Sequence, residues 1–277
     1  MRALTVLMSV YAGDCLENFL ESVTSITSTQ SIMPDQLVIV RDGPVTSDLQ
    51  DVLNGYDSKG NCNGVEVCVL FLEKNVGLAA ALNAGLAKCR GDWVVRMDSD
   101  DIAHPQRIEV TKNEIETCDD ASVVGFSYQI FDTDHKVPYA RRVCPARVDS
   151  TVVGRFFRTP INHPTIAVSA SLFEEVRYPE DVGRFEDWGL ILDAIKKGFV
   201  VKNVDIDVLM FRAPLALMAR RGGWAYLLEE FAALTKMYRK NLIPLWALLL
   251  NLVIRTPSRI TPSWLRHLMY RELIWKK

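Results

Sequence analysis

The first hundred residues alternate two apolar patterns. Continuous apolar runs at 4–10, 37–40, 65–72 and 93–97 suit strands that are covered on both faces. Between them, Leu16, Phe19, Leu20, Val23 and Ile26 recur at helical spacing, 46–56 accommodates a second helix, and 77–89 is rich in Ala and Leu. Strands alternating with helices predict a mostly parallel α/β sheet. Ser9, Asp42 and Asp98 fall where the first, second and fourth strands end. Open α/β sheets bind ligands outside the carboxyl ends of their strands, so these side chains are expected around one crevice.

The second half is less regular. Residues 123–131 and 137–143 read as strands joined by the polar turn 132–136, followed by a helix over 149–157 and a short strand over 165–168. A helix over 187–197 stops at Gly198, and 199–211 returns as a strand. From Gly223 the pattern is helical and the composition shifts to Leu, Trp, Arg and Lys.

Composition narrows the choices. Apolar residues make up 49% and charged residues 24% of the 277 residues, enough for a full core. A net charge of −2 gives no general attraction to nucleic acid. Six cysteines are scattered without a Cys-x-x-Cys pair, which argues for reduced thiols in a cytosolic protein. The apolar run at 4–10 is read as a buried strand and not as a signal segment. The stretch 242–254 contains Pro244 and Asn251 and falls short of the roughly 20 residues that span a bilayer.

The clearest chemical signal is Arg96-Met97-Asp98-Ser99-Asp100-Asp101 at a strand end. Two carboxylates one residue apart can approach a hard cation, Mn2+ or Mg2+, that also touches phosphate oxygens. The competing reading is a solvated turn capping the helix that begins near His104-Pro105. Asp42 could accept a hydrogen bond from a nucleobase or ribose, although Asp-Gly is equally a tight-turn signature. Asn75-Val76-Gly77-Leu78 opens the Ala-rich helix carrying Asn83, where backbone N–H groups suit phosphate or ribose oxygens and small residues suit close packing. Neither a Gly-x-Gly-x-x-Gly after the first strand nor a P-loop is present. Glu186-Asp187-Trp188 stands before a helix, where a carboxylate can act as general base or simply cap the helix. Asn162-His163-Pro164-Thr165 is a polar loop feeding a strand.

In this order, Met8-Ser9-Val10-Tyr11, Val40-Arg41-Asp42-Gly43-Pro44, Asn75-Val76-Gly77-Leu78 through Asn83-Ala84-Gly85, the acidic cluster, Asn162-His163-Pro164-Thr165, Phe185-Glu186-Asp187 and Arg220-Arg221-Gly222-Gly223 resemble the family 2 glycosyltransferases. The similarity is strongest to the branch that builds amylovoran, O-antigen and exopolysaccharide. The resemblance implies a GT-A fold over 1–222, with a nucleotide-binding half at 1–101 and an acceptor-binding half at 102–222. A helical, amphipathic region over 223–277 follows. It implies an inverting transfer of glucose or galactose from a UDP-sugar to a lipid-linked saccharide such as N-acetylglucosaminyl-diphospho-undecaprenol. Ser9, Val10, Tyr11, Asp42, Asn83 and Asp98 would bind the donor, and Asp98 and Asp100 the metal. Asp187 would be the base, with His163, Glu186 and Trp188 on the acceptor. The chain departs from the family at Leu82, where many members carry Arg, and after Asp187, where Trp188-Gly189-Leu190-Ile191 replaces the usual pattern. The Gln-x-x-Arg-Trp motif of processive synthases is missing, which favours a single addition. A nucleotidyltransferase and a degenerate sugar-binding scaffold are the other readings. The first would want a basic Gly-rich loop where Tyr11-Ala12-Gly13-Asp14 stands, and the intact acidic motifs speak against the second. Aromatic residues and arginines mixed through the C-terminal region suit a peripheral position on the inner face of the cytoplasmic membrane, against the alternative of a helical cap.

Overall fold

A computed structural model describes residues 2–118, 120–131, 137–146, 148, 159–213 and 222–261. The turn expected at 132–136, the helix at 149–157, Arg220-Arg221 and everything after 261 lie outside the described residues.

The strands are β1 (Leu4–Tyr11), β2 (Gln36–Asp42), β3 (Asn61–Cys62), β4 (Val65–Phe71), β5 (Trp93–Arg96), β6 (Ile102–Ala103), β7 (Val123–Phe131), β8 (Pro138–Arg142), β9 (Ala167–Ser169) and β10 (Val201–Arg212). Helices α1 (Leu16–Ile26), α2 (Ser47–Lys59), α3 (Leu78–Leu86), α4 (Arg107–Thr117), α5 (Ala170–Glu175) and α6 (Glu186–Lys196) connect them. Helices α7 (Trp224–Arg239) and α8 (Leu245–Ile260) follow the last strand.

Among the described residues the strands form one sheet in the order β3-β4-β2-β1-β5-β9-β7-β10-β6, with β8 added to β7. β4, β2, β1 and β5 are mutually parallel, whereas β9 runs antiparallel to both β5 and β7. The chain order reverses beside β1, which has β2 on one side and β5 on the other. This switch point opens a crevice at the carboxyl ends of β1, β2 and β5.

The pleat of β1 explains why its apolar run is continuous. Leu4, Val6, Met8 and Val10 face one core together with Phe19 and Val23 of α1, while Leu7 faces a second core with Ala81 and Leu82 of α3. Each such side chain is buried, contributing about 1.5–3 kcal/mol. Helix α3 lies close against the sheet because Gly85 has no side chain. A Cβ there would meet Leu7 Cδ1 and Val40 Cγ2 at 2.6 Å. A third cluster joins α6 to α7 and α8 through Trp188, Leu192, Leu234, Met237 and Leu248.

Two small strands depart from the sequence expectation. β3 pairs antiparallel with β4, closing the Gly/Asn-rich loop into a hairpin. β6 pairs with the far end of β10, so the chain leaving the acidic cluster is captured by the last strand of the sheet.

Candidate active site

The acidic loop is fixed from beneath by arginines. β5 ends on Arg96, which is buried and ion-pairs with Asp98. Arg107, wholly buried at the start of α4, donates through Nη2 to the carbonyls of Arg96 (2.6 Å) and Pro164 (2.8 Å). Burial, the largest influence on Arg107, depresses its guanidinium to about 9. Arg212, at the end of β10, gives its backbone N–H to Asp101 (2.9 Å), Nε to the Asp100 carbonyl (2.7 Å) and Nη2 to Glu21 (2.8 Å). Ser22 of α1 donates to the Asp98 carbonyl at 3.0 Å. Asp14 accepts from the Tyr11 N–H (3.0 Å) and the Ser99 hydroxyl (2.9 Å), tying the end of β1 to the same loop.

Four carboxylates therefore share a small space. Burial, followed by the charges of Asp98 and Asp14, pushes the Asp100 carboxyl up to about 6, against the pull of Arg212. Burial likewise raises Asp101 well above the usual carboxylate range, with Asp98 and Asp100 adding to the effect. Asp101 Oδ2 is buried and meets no hydrogen-bond donor of the protein. Such a crowd of under-compensated oxygens fits a hard divalent cation. Among the described residues no three His, Cys, Asp or Glu side chains converge as a complete metal cage. A cation held by these carboxylates would take its remaining ligands from phosphate oxygens and water, the usual habit of Mg2+.

The other donor-side expectations separate by geometry. Ser9 is half-buried, and Tyr11 stands at the rim with 43% exposure. Val10 is buried in the core, so its side chain faces away from the crevice and its backbone alone could face a ligand. Asp42, at the end of β2, accepts from the backbone N–H groups of Val76 (2.7 Å) and Gly77 (3.1 Å). It thereby holds the loop that leads into α3. Gly43 has a positive φ of 81°, and a Cβ there would sit 2.4 Å from the Asn75 nitrogen, so the turn requires glycine. Asn83 donates to the Tyr178 carbonyl and Glu180 (both 2.9 Å) and accepts from the Tyr178 N–H (3.0 Å). Its amide is engaged in tying α3 to the segment between α5 and α6.

On the acceptor side, Glu186 and Asp187 open α6. Glu186 is buried, and burial first, then the Asp187 charge, pushes its carboxyl up to about 8, with Arg96 acting in the opposite direction and Asp98 adding to the rise. Asp187 Oδ1 accepts from the N–H of Trp188 at 2.6 Å. His163 is buried, and burial followed by the Arg96 charge holds its ring well below the usual imidazole range. Its Nε2 lies 3.1 Å from the Tyr178 hydroxyl. Trp188 corrects the sequence expectation. It is 1% exposed, packed in the third core with Arg255 of α8 5.1 Å from its ring, and braces α6 without lining the acceptor crevice. The apolar pattern of α6 places position 188 inward, a signal present in the sequence but masked by its neighbour Asp187.

Asp14, Arg107, Tyr178 and Arg212 complete the site and were not expected from sequence. Asp14 follows the first strand closely and could have been found as a strand-end acid. Arg212 lies more than a hundred residues from the loop that it pins, and only the pairing of β6 with β10 brings it there.

A mostly parallel sheet with its reversal beside β1, acidic residues at the end of β5 and a carboxylate pair at the start of α6 together form a strand-end crevice of the kind in which open α/β sheets bind ligands. Residues 5–177 match the family model described as Glycosyl transferase family 2, and the chain belongs to this family of glycosyltransferases. It is 30% identical over 270 residues to an Escherichia coli UDP-Gal:alpha-D-GlcNAc-diphosphoundecaprenol beta-1,3-galactosyltransferase, covering 98% of this chain and 96% of that one. It is 29% identical to the amylovoran biosynthesis glycosyltransferase AmsE of Erwinia amylovora, covering 97% and 98% respectively. In fold it is similar to a mannosyltransferase of Pyrobaculum calidifontis in complex with GDP-Man and Mn2+. That match has a TM-score of 0.65 at 16% identity, over 98% of this chain and 76% of the other.

Proposed function

We propose that this chain is an inverting hexosyltransferase that moves glucose or galactose from a UDP-sugar to a lipid-linked saccharide of the GlcNAc-diphospho-undecaprenol type. The observation that carries the reading is that two acidic groups, Asp98 with Asp100 and Glu186 with Asp187, meet across Arg96, close enough for Asp98 and Arg96 both to act on Glu186. The printed activity of the E. coli relative supports both substrates. Under this reading residues 1–101 hold the nucleotide, 102–222 the acceptor, and 223–277 are the helical amphipathic C-terminal region. Ser9, the backbone of Val10, Tyr11 and Asp42 line the uridine side.

In the reaction, Asp187 takes the proton of an acceptor hydroxyl as that oxygen attacks the anomeric carbon. Attack comes from the face opposite the nucleoside diphosphate, the bond from that carbon to the diphosphate oxygen breaks, and configuration inverts. The transition state has oxocarbenium character, as in inverting glycoside hydrolysis. Asp98 and Asp100 would hold Mn2+ or Mg2+. Such a bound cation supplies Lewis-acid stabilisation of the charge gathering on the leaving diphosphate. Glu186, kept protonated at neutral pH, can donate to an acceptor hydroxyl as well as accept from one. Arg96 keeps Asp98 oriented and moderates the charge of the acceptor pair.

Among the described residues no helix is long and apolar enough to cross a membrane. A lipid-linked acceptor then calls for a peripheral position on the cytoplasmic face of the membrane. The direct test is a donor screen that measures nucleoside diphosphate release with polyprenyl-diphospho-GlcNAc in the presence of Mn2+. Transfer from a UDP-hexose with inverted configuration is expected. Release from none of the UDP-hexoses, or retention at the anomeric carbon, would refute the reading.

A further inference from the structure

Helix α8 is divided lengthwise into two faces. Leu245, Trp246, Leu249, Leu250, Val253 and Ile254 are 41–70% exposed. At about 100° per residue they occupy about half the helix circumference. Ala247, Leu248, Asn251 and Arg259, on the other half, are buried. Such a continuous solvent-facing stripe of large apolar side chains is uncommon on a protein surface and marks an interaction site.

Charge identifies the occupant. From Phe231 to Lys277 the sequence holds nine Lys and Arg residues and one acid, Glu272, although the whole chain has a net charge of −2. The first 230 residues are therefore strongly acidic. Arg255 and Arg259 are turned inward onto Glu230, which is 0% exposed, with Arg259 Nε 2.8 Å from Glu230 Oε2. Of the other seven cations, Lys236, Arg239 and Lys240 lie at or just after the end of α7, and Arg266, Arg271, Lys276 and Lys277 follow α8 in the sequence, interleaved with Trp264, Tyr270 and Trp275. A second copy of this chain would bring two basic segments together. A bilayer with anionic headgroups offers both an apolar layer for the stripe and the opposite charge for the basic sequence of the C-terminal region.

We propose that the exposed face of α8 is a lipid-contact surface, on which the helix lies in the plane of an anionic bilayer. The attachment has a mechanical consequence. Arg255 stacks on Trp188, the residue after Asp187, and also holds Glu230 of α7, so the lipid face and the start of α6 are braced to one another. Docking α8 would therefore fix the height of Asp187 above the membrane. The docking itself needs no assumption about the sugar. Its effect on transfer rests on the lipid-linked acceptor proposed above.

The test uses the full chain and flotation with phosphatidylcholine vesicles, with or without phosphatidylglycerol. The protein should float with the phosphatidylglycerol vesicles and be released by salt. A Leu249→Gln/Val253→Gln variant should bind at least about tenfold more weakly, since it removes two apolar anchors from the buried half of an interfacial helix. Both positions face solvent, so its thermal midpoint and its donor hydrolysis without acceptor should match the parent. Brominated lipid should quench part of the tryptophan fluorescence, and the quenched fraction should fall in Trp246→Phe. The proposal is overturned if the double variant floats like the parent, or if the parent floats with neither vesicle. It is also overturned if the parent is a dimer that the double variant dissociates without any vesicle binding. A parent chain that floats with neither vesicle yet transfers normally to a detergent-dispersed acceptor would remove this proposal alone. Docking without nucleoside diphosphate release from any sugar donor would support it and remove the functional reading instead.

Discussion

Replacing Glu186 with Gln should change the pH dependence of stability more than it changes catalysis at neutral pH. In the folded chain burial and the Asp187 charge place the Glu186 carboxyl at about 8, whereas an unhindered Glu titrates near 4.5. Between those values the native state holds a proton that the unfolded state has lost. The group's contribution to stability is therefore complete below about 4.5 and is lost as pH rises through about 8. Within that window the slope approaches about 1.4 kcal/mol per pH unit, so the total reaches a few kcal/mol. Gln preserves the size and hydrogen bonding of the neutral acid but never ionises. Urea denaturation of parent and Glu186→Gln at several pH values should give curves that agree at low pH and diverge upward, with the variant increasingly the more stable. Asp187 on the same helix and Arg96 and Asp98 at the end of β5 face this carboxyl, and all three remain in the variant, so the difference reports Glu186. A stability difference that is constant from about pH 5 to about pH 8 would refute a protonated Glu186. Turnover at neutral pH should fall by no more than about tenfold, because Asp187 keeps its charge and its role as base.

Asp187→Asn retains the size and the ability to accept from the Trp188 N–H but cannot take a proton, so turnover should drop by roughly two to four orders of magnitude with donor affinity little changed. Near-normal turnover of this variant together with a collapse in Glu186→Gln would exchange the two roles. Asp100→Ala should abolish metal-dependent transfer while leaving the thermal midpoint at neutral pH equal or higher, since burial and two neighbouring carboxylates already oppose its charge. Full turnover in excess chelator, or an active Asp100→Ala protein, would remove the metal assignment. Glu230→Leu leaves Arg255 and Arg259 without their shared buried acid and should cost about 3–5 kcal/mol in urea unfolding. A loss below about 1 kcal/mol would mean that solvent compensates these arginines.

The apolar patterning made the parallel half of the sheet legible because β1 and β2 are buried on both faces, β4 buries Val65, Val67 and Val69 on one face, and α1 between the first two strands has a clear 3.6-residue period. Helix α1 and strand β7 have the predicted limits, β1, β2, β4, β5, β8 and β10 agree within a few residues, and the short helix α5 had no counterpart in the sequence reading. The two-residue strands β3 and β6 carry too little pattern to be seen, and both exist only because a longer strand offers them an edge. The candidate acids Asp42 and Asp98 were legible because they stand where β2 and β5 end, whereas Asp14, just after β1, was missed. Asn83 and Trp188 belong to recognisable motifs, but a motif gives a position and not a direction. The structure turns the Asn83 amide to Tyr178 and Glu180 and buries the Trp188 ring under α8. Arg107 and Arg212 were not legible, because each reaches its partners across the fold from a sequence context without chemical pattern.

Those two arginines explain how one crevice tolerates so many carboxyl groups. Arg107 and Arg212 grip the acidic loop mainly through its backbone, while Arg96 faces the Asp98 carboxylate. The loop is thus held in place through its backbone, and the arginines offset only part of the rise that burial and the neighbouring carboxylates cause in Asp100 and Asp101. At the proposed donor end Asp100, at about 6, is ionised at neutral pH and would be available to a cation with its phosphate ligands. At the acceptor end Glu186, at about 8, resolves a similar conflict with Asp187 by keeping a proton. Neighbouring carboxyl groups whose environments push their titration apart take different chemical roles. One acid pair is thereby suited to stabilising a leaving diphosphate, and the other to presenting a single base beside a neutral hydrogen-bonding partner.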